Sequence, residues 1–528
     1  VTGKTASTVT IKGEPNTEYT VKNPDGTPAL DKNGQPIKGT TDANGKVTFV
    51  GLEKGKDYTI TSEESGSVKT GTSAVDAEDI ANSFRENEKD KAKVTGEGLN
   101  EKASNSKVDV VVDENGNYKV ILKDDINGTV KVPDTWGDVT VDLNGNTIKG
   151  NDATDKEPAK PGLDFVKDDT SKGNGTNLVI KDTSKDGTGT IAGGNGSNRY
   201  PDGAAGIKGN KDASTPTVEV AKPVKVIGGN GATGEDGNGG NGGSGIEGNI
   251  DTIINGGTVI GGNGGSGADN DKGNGGTGGN GGNGIDSDNK NVTVKDGEVT
   301  GGNAGNGGSS ENGNGGNGGT GGNGITGSKD NEISGGEING GNGGDGGNSD
   351  KGNGGNGGNG GDGVDNGKNP GTITGGDING GNGGNGGNTN DGTGGSGGNG
   401  GNGINGTGDI ILDGDKKPNG GSGGNGGSST KGQGGQSGAR GNGTSDGKVP
   451  GTGHDGKEGQ SGQNSTDNSS KPQVKPSTTV KTNKDVRQGK IKTGDESKTM
   501  VYGEIAALSF IGLMILFLTR KREELKER

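Results

Sequence analysis

Along the first sixty residues, apolar and polar positions alternate in short runs. Residues 8–13 (TVTIKG), 18–23 (EYTVKN), 46–51 (KVTFVG) and 57–62 (DYTITS) place β-branched or aromatic side chains at about every second position, the pattern of half-buried strands. The turn-rich segments NPDGTPALDKNGQP, DANGK and EKGK separate them. Residues 74–94 switch to helical spacing at Val75, Ile80 and Phe84 and predict a short helix. Residues 106–123 predict a hairpin around DENGN. Short β runs continue through 121–150, 177–182 and 189–194.

Beyond Tyr200 the apolar pattern thins and becomes periodic. Ile207, Ile246, Ile285, Ile325, Val364 and Ile404 follow a glycine at spacings of 39, 39, 40, 39 and 40 residues. A fixed period of this size implies stacked units. Within the unit 325–364, Ile333 and Ile338 are followed by Gly-Gly-X triplets whose X residues are Asn342, Asp345, Asn348, Asn353, Asn356, Asn359 and Asp362, interrupted at 349–351. A period of three suits polyproline-II geometry. It turns X one way and leaves two bare glycine faces on which neighbouring backbones can hydrogen-bond. Three arrangements fit: two β-helix coils of about 20 residues each, one strand plus a polyglycine hairpin docked on its neighbours, or a flexible coil. A flexible coil needs neither phase nor period, which favours the ordered pair.

After residue 445 the periodicity stops. Residues 446–492 are polar, contain Pro472, Pro476 and the single histidine, His454, and read as an extended linker. Residues 505–518 form the one strongly apolar run. Counted as 500–519, it is long enough for a hydrocarbon core of about 30 Å, with Glu504 near one interface. Arg520, Lys521 and Arg522 follow at once, which orients the C-terminus toward the cytoplasm and everything upstream outside.

Composition sharpens this picture. Of 528 residues only 21% are hydrophobic, and 128 are glycine, against about 45–50% apolar in an ordinary domain. Cores for a chain this long cannot be filled, so order must rest on backbone hydrogen bonds. No aromatic residue lies between Tyr200 and Tyr502, and no arginine between Arg199 and Arg440. The net charge of -15, without a basic stripe, argues against a nucleic-acid partner. Cysteine is absent, which excludes disulfides and thiolate chemistry, and a lone histidine in a linker has no catalytic or metal-binding company. No cofactor or metal is expected. The GxGxxG matches sit in no βαβ unit, and GGDGVDNG and GGNGIDSD lack the nine-residue period of a calcium roll. Starting at Val1, with methionine only at 500 and 514, the chain reads as processed or truncated, with any signal peptide upstream.

Several segments resemble known families. The triad of 490–494 (KIKTG), the apolar run and the basic tail resembles the sortase sorting signal of Gram-positive surface proteins, with Lys490 and Ile491 where that family has Leu and Pro. The resemblance implies cleavage between Thr493 and Gly494 and linkage of the threonine carboxyl to peptidoglycan. TTDANGKVTFVGLEKGKDYTIT is similar to half of a prealbumin-like, collagen-adhesin B-type repeat; the acid position expected for an isopeptide falls at Ser62 with no evident partner asparagine, so no cross-link is expected. DVTVDLNGNTIKG resembles the opening coils of right-handed parallel β-helices of the pectin-lyase-like class, and the triplets resemble glycine-rich sandwiches of phage tail adhesins and insect antifreeze proteins.

The expected chain is mainly β. It comprises a small β-sandwich at 1–64, a linker with a short helix at 65–105 and β-helix coils at 106–200. An elongated glycine-rich, polyglycine-II-like repeat body follows at 201–445. Then come a disordered wall-spanning linker at 446–492 and a sorting signal at 493–528 with one transmembrane helix, 500–519. The expected function is a non-catalytic adhesin or stalk displayed on a Gram-positive envelope. Its expected partners are sortase, peptidoglycan, the membrane and a host, glycan or bacterial surface ligand. The alternative is an anchored carbohydrate-active β-helix enzyme, a lyase or glycosidase, centred on Trp136, Asp142 and Arg199. Such enzymes need paired acids and usually aromatic subsites, and the repeats carry no aromatic residue.

Overall fold

A computed structural model describes residues 1–63, 66–168, 175–412, 417–447, 449 and 451–462. The four alternating N-terminal runs all form strands. Gly3–Lys4, Thr8–Lys12 and Lys46–Val50 make one antiparallel sheet; Lys38–Thr40, Glu18–Lys22, Asp57–Ser62 and Gly66–Gly71 make another. Val9, Ile11, Tyr19, Val21, Phe49, Tyr58 and Ile60 form a common core. The module outruns residue 64, because Gly66–Gly71 pairs with Asp57–Ser62.

The helix is shorter than its 74–94 window. It spans Ala77–Ser83, opened by a capping box between Asp76 and Asp79, and buries Ala77, Ile80 and Ala81. After Phe84 the chain runs through Arg85, Glu86, Asn87 and Glu88, with no apolar residue to hold another turn. Phe84 stacks on Trp136 with ring centroids 5.8 Å apart, closing one end of the body that follows. The hairpin around DENGN forms as expected, with Val108–Val112 antiparallel to Tyr118–Leu122.

From Tyr118–Leu122 onward pairing becomes parallel, and the chain winds into a β-solenoid of about seven turns. Each coil contributes one short strand to each of three stacked sheets, and each strand buries an aliphatic residue on its predecessor. One stack runs Val120, Val141, Ile180, Val220, Ile254, Val294, Ile333, Ile373. A second runs Ile126, Ile148, Ile191, Val226, Val259, Val299, Ile338, Ile378. The third runs Val130, Leu163, Ile207, Ile246, Ile285, Ile325, Val364, Ile404. The six residues that mark the 39–40 period are therefore direct ladder partners. A few aliphatics per coil suffice because every coil is buried by its neighbours, which reconciles order with the low apolar content.

The unit is one coil of about 40 residues, not two of half that length; strands and a glycine hairpin share it. In the coil that begins at Ile325, the hairpin consists of a leg at 340–348, a tip at 349–352 and a return leg at 353–363. Successive legs form two rows. The first glycine of a triplet donates its N–H to an X carbonyl one coil on, as Gly343 does to Asn382 and Gly357 to Ser396. The second donates across to the other row: Gly347 to Gly316, Gly355 to Gly347, Gly387 to Gly355. A Cβ on Gly347 would overlap the carbonyl oxygen of Gly308, and one on Gly346 that of Gly355, so both glycines are required sterically. The regular legs do not stop at 445. Residues 451–462 lie as a further leg, Gly456, Gly459 and Gly462 donating to Gly438, Gly435 and Gly432. Its X-type residues His454, Lys457 and Gln460 donate to Ser422, Asn425 and Ser428. Residues 446–462 thus belong to the body rather than to a linker, because glycine at 453, 456, 459 and 462 keeps the triplet phase.

Candidate binding surface

The third N–H of each triplet, that of X, has no carbonyl left to meet. It is met by a side chain instead. Asn342 N–H donates to Asn303 Oδ1, Asn382 to Asn342 and Ser422 to Asn382, at 2.9, 2.8 and 2.8 Å. This column begins at Asp152 and climbs through Asn195, Asn230, Asn263 and Asn303. The return legs carry equivalents, such as Asn283 to Asn323 to Asp362 to Asn402 to Asn442. Asparagine and aspartate suit X because their side-chain oxygen reaches the next coil's backbone. Their outer atoms remain exposed.

Each row of legs therefore presents a polar face with a lattice of two spacings. Along a leg, X recurs every three residues, about 9 Å; from coil to coil the step is about 4.8 Å. On the return-leg face a shallow depression of 440 Å³ is lined by Asn314, Asn317, Asn353, Asn356, Thr393 and Ser396, among others.

A second feature lies on the outer side of the third sheet. Asp164, Lys208, Glu247 and Asp286 are consecutive ladder partners and border a 540 Å³ groove with Lys211 and Asp288. Lys208 pairs with Glu247 at 3.6 Å. Burial holds the Asp164 carboxyl above its ordinary range against three nearby lysines. Burial also raises Asp286, outweighing the hydrogen bond from Asn283, with Glu247 and Asp288 pushing the same way. Among the described residues no group of three or more His, Asp or Glu side chains is arranged to hold a metal ion.

Trp136, Asp142 and Arg199 take separate places. Trp136 is buried against Phe84. Asp142 is 1% exposed, accepts from the Thr183 N–H and hydroxyl, and pairs with Lys119 at 3.0 Å. Arg199 is exposed and faces Glu235 at 3.4 Å. The first two brace coils. The acidic row on the third sheet escaped the sequence reading, although each member directly follows a residue of the third aliphatic stack. Thr493, Gly494, Arg520, Lys521, Arg522 and the 500–519 span lie outside the described residues. Among the described residues no helix is long and apolar enough to cross a membrane. Comparison with protein-family models, curated proteins and solved structures returns no match.

Proposed function

We propose that this chain is a non-catalytic adhesin of a Gram-positive cell surface, held to the envelope by its C-terminal segment and binding through the amide-covered faces of a right-handed, polyglycine-II-like solenoid. The observation that carries the reading is the use of X side chains as coil-to-coil acceptors while their outer atoms stay exposed. Coil economy favours adhesin over stalk. About 40 residues advance the stack by only about 4.8 Å, a poor return in reach, whereas each nine-residue leg adds a strip about 28 Å long to a face. The apolar run at 505–518 with Arg520, Lys521 and Arg522 behind it supports the anchor, and Thr493–Gly494 is the bond a sortase would cut.

The test exploits the ladder. Replacing Asn317, Asn353 and Asn356 by Asp keeps every acceptor oxygen but charges the return-leg face. Cells displaying the variant should lose adherence to glycan-coated and host-cell surfaces, with an unchanged melting temperature. Adherence equal to that of the native chain would overturn the face as the binding site.

The acidic row supports a second reading, a surface-anchored carbohydrate-active enzyme, because Asp164 and Asp286 combine raised carboxyl pKa values with a groove. Turnover of a polysaccharide panel, abolished by Asp286→Ala, would establish it in place of the first.

A further inference from the structure

The last leg differs from all those before it at one triplet position. In an inner leg such as 420–428, the first glycine abuts the return leg of its own coil: a Cβ on Gly423 would overlap Gly438 O, and one on Gly426 would overlap Gly435 O. The equivalent positions in leg 451–462 follow from the pairing of Gly423, Gly426 and Ser429 N–H groups with His454, Lys457 and Gln460 carbonyls. They are Asp455, Glu458 and Ser461, all exposed. No further leg can be laid against that side at the distance the inner legs keep.

Two of these side chains also do what a following coil would do. In the return leg 393–403, Gly394 and Gly400 N–H donate to the Gln433 and Ala439 carbonyls one coil on. In the last return leg, the Gly434 N–H donates to Ser461 Oγ and the Arg440 N–H to Asp455 Oδ1, both at 2.9 Å. Side-chain oxygens stand in for missing backbone carbonyls, as they do at the first turn of a helix. The same end of the solenoid carries the strand Ile410–Leu412, where Ile411 is 61% exposed. A bare edge of this kind is a template for another chain.

We propose that residues 451–462 are a dedicated cap that closes the solenoid end against a second copy of this chain, with Asp455 and Ser461 satisfying the terminal donors and Asp455, Glu458 and Ser461 together blocking the glycine surface. The occupant excluded is a second copy because its own last legs present the matching triplet spacing, and an isologous end-to-end contact would pair donor rows with carbonyl rows.

The experiment compares the native full chain, held in detergent, with Asp455→Gly/Glu458→Gly/Ser461→Gly and with Asp455→Asn/Ser461→Thr, by light scattering over a hundredfold concentration range. The triple glycine variant should roughly double in mass as concentration rises, while the oxygen-conserving variant and the native chain stay monomeric. A triple variant that keeps native circular dichroism yet remains monomeric would overturn the proposal. Hydrogen exchange on the native chain covers the case in which the triple variant fails to fold. Peptides spanning 433–441 should exchange as slowly as those spanning 393–401, and exchange at the rate of an unstructured peptide would overturn the capping role.

Discussion

The side-chain oxygen of Asn303 accepts the backbone N–H of Asn342, 39 residues later, at 2.9 Å. One side chain thus serves as a backbone group for the next coil. The arrangement explains why X is so often asparagine: its amide oxygen bonds upward while its amide nitrogen stays available at the surface.

This relationship sets a hierarchy at X. Asn382→Ala should cost about 1 kcal/mol and speed exchange of the Ser422 amide, which Asn382 accepts. Asn382→Asp should cost little, because the acceptor remains. Thermal melts with exchange across 420–428 check both, and equal losses for alanine and aspartate would contradict the ladder.

The glycines are less forgiving. Gly347→Ala places a Cβ on the Gly308 carbonyl oxygen and should cost about 3 kcal/mol, the upper end for overpacking. Asn348→Ala, one residue on, should cost only about 1 kcal/mol. Urea denaturation of the two variants should separate them clearly.

Acidity has a specific signature at Asp362. Burial raises its carboxyl above the ordinary 3.8, outweighing the bonds from the Asn402 N–H and Asn405 Nδ2. The unfolded chain titrates near the ordinary value, so ionisation disfavours the folded state. That penalty is absent below about pH 3.8 and grows as pH rises through the folded value. Asp362→Asn keeps the oxygen for Asn402 and should melt a few degrees higher than the native chain at pH 7. The gain should shrink as pH falls toward 4; melts at both values test it.

The aromatic lid can be read optically. Trp136 is the one tryptophan of the chain and is 2% exposed against Phe84. Phe84→Ala should cost about 3–5 kcal/mol and shift Trp136 emission to the red. An unshifted spectrum would mean that the stack is not what shields it.

Much of this architecture was legible in order of residues. Ile207 through Ile404 marked the register because every coil must return to the same sheet position. The triplets marked the legs because only two adjacent glycines admit neighbours on two sides. The N-terminal strands followed from strict alternation at Tyr19 and Val21 or Tyr58 and Ile60, where burial of one face imposes a period of two.

Other features depended on what lies across space. The role of X could not be read from its identity, since an exposed asparagine looks the same whether its oxygen meets water or the backbone of a residue 39 positions away. The acidic row of Asp164, Glu247 and Asp286 is scattered over the chain and becomes a row only when parallel pairing stacks those coils. Leg 451–462 looked like linker because Asp455, Glu458 and Ser461 break the Gly-Gly-X rule. They break it where no further leg has to fit, and only the packed end of the solenoid reveals that position. Local periodicity specifies how each coil repeats; contacts between coils decide which repeated atoms become surface, scaffold or cap.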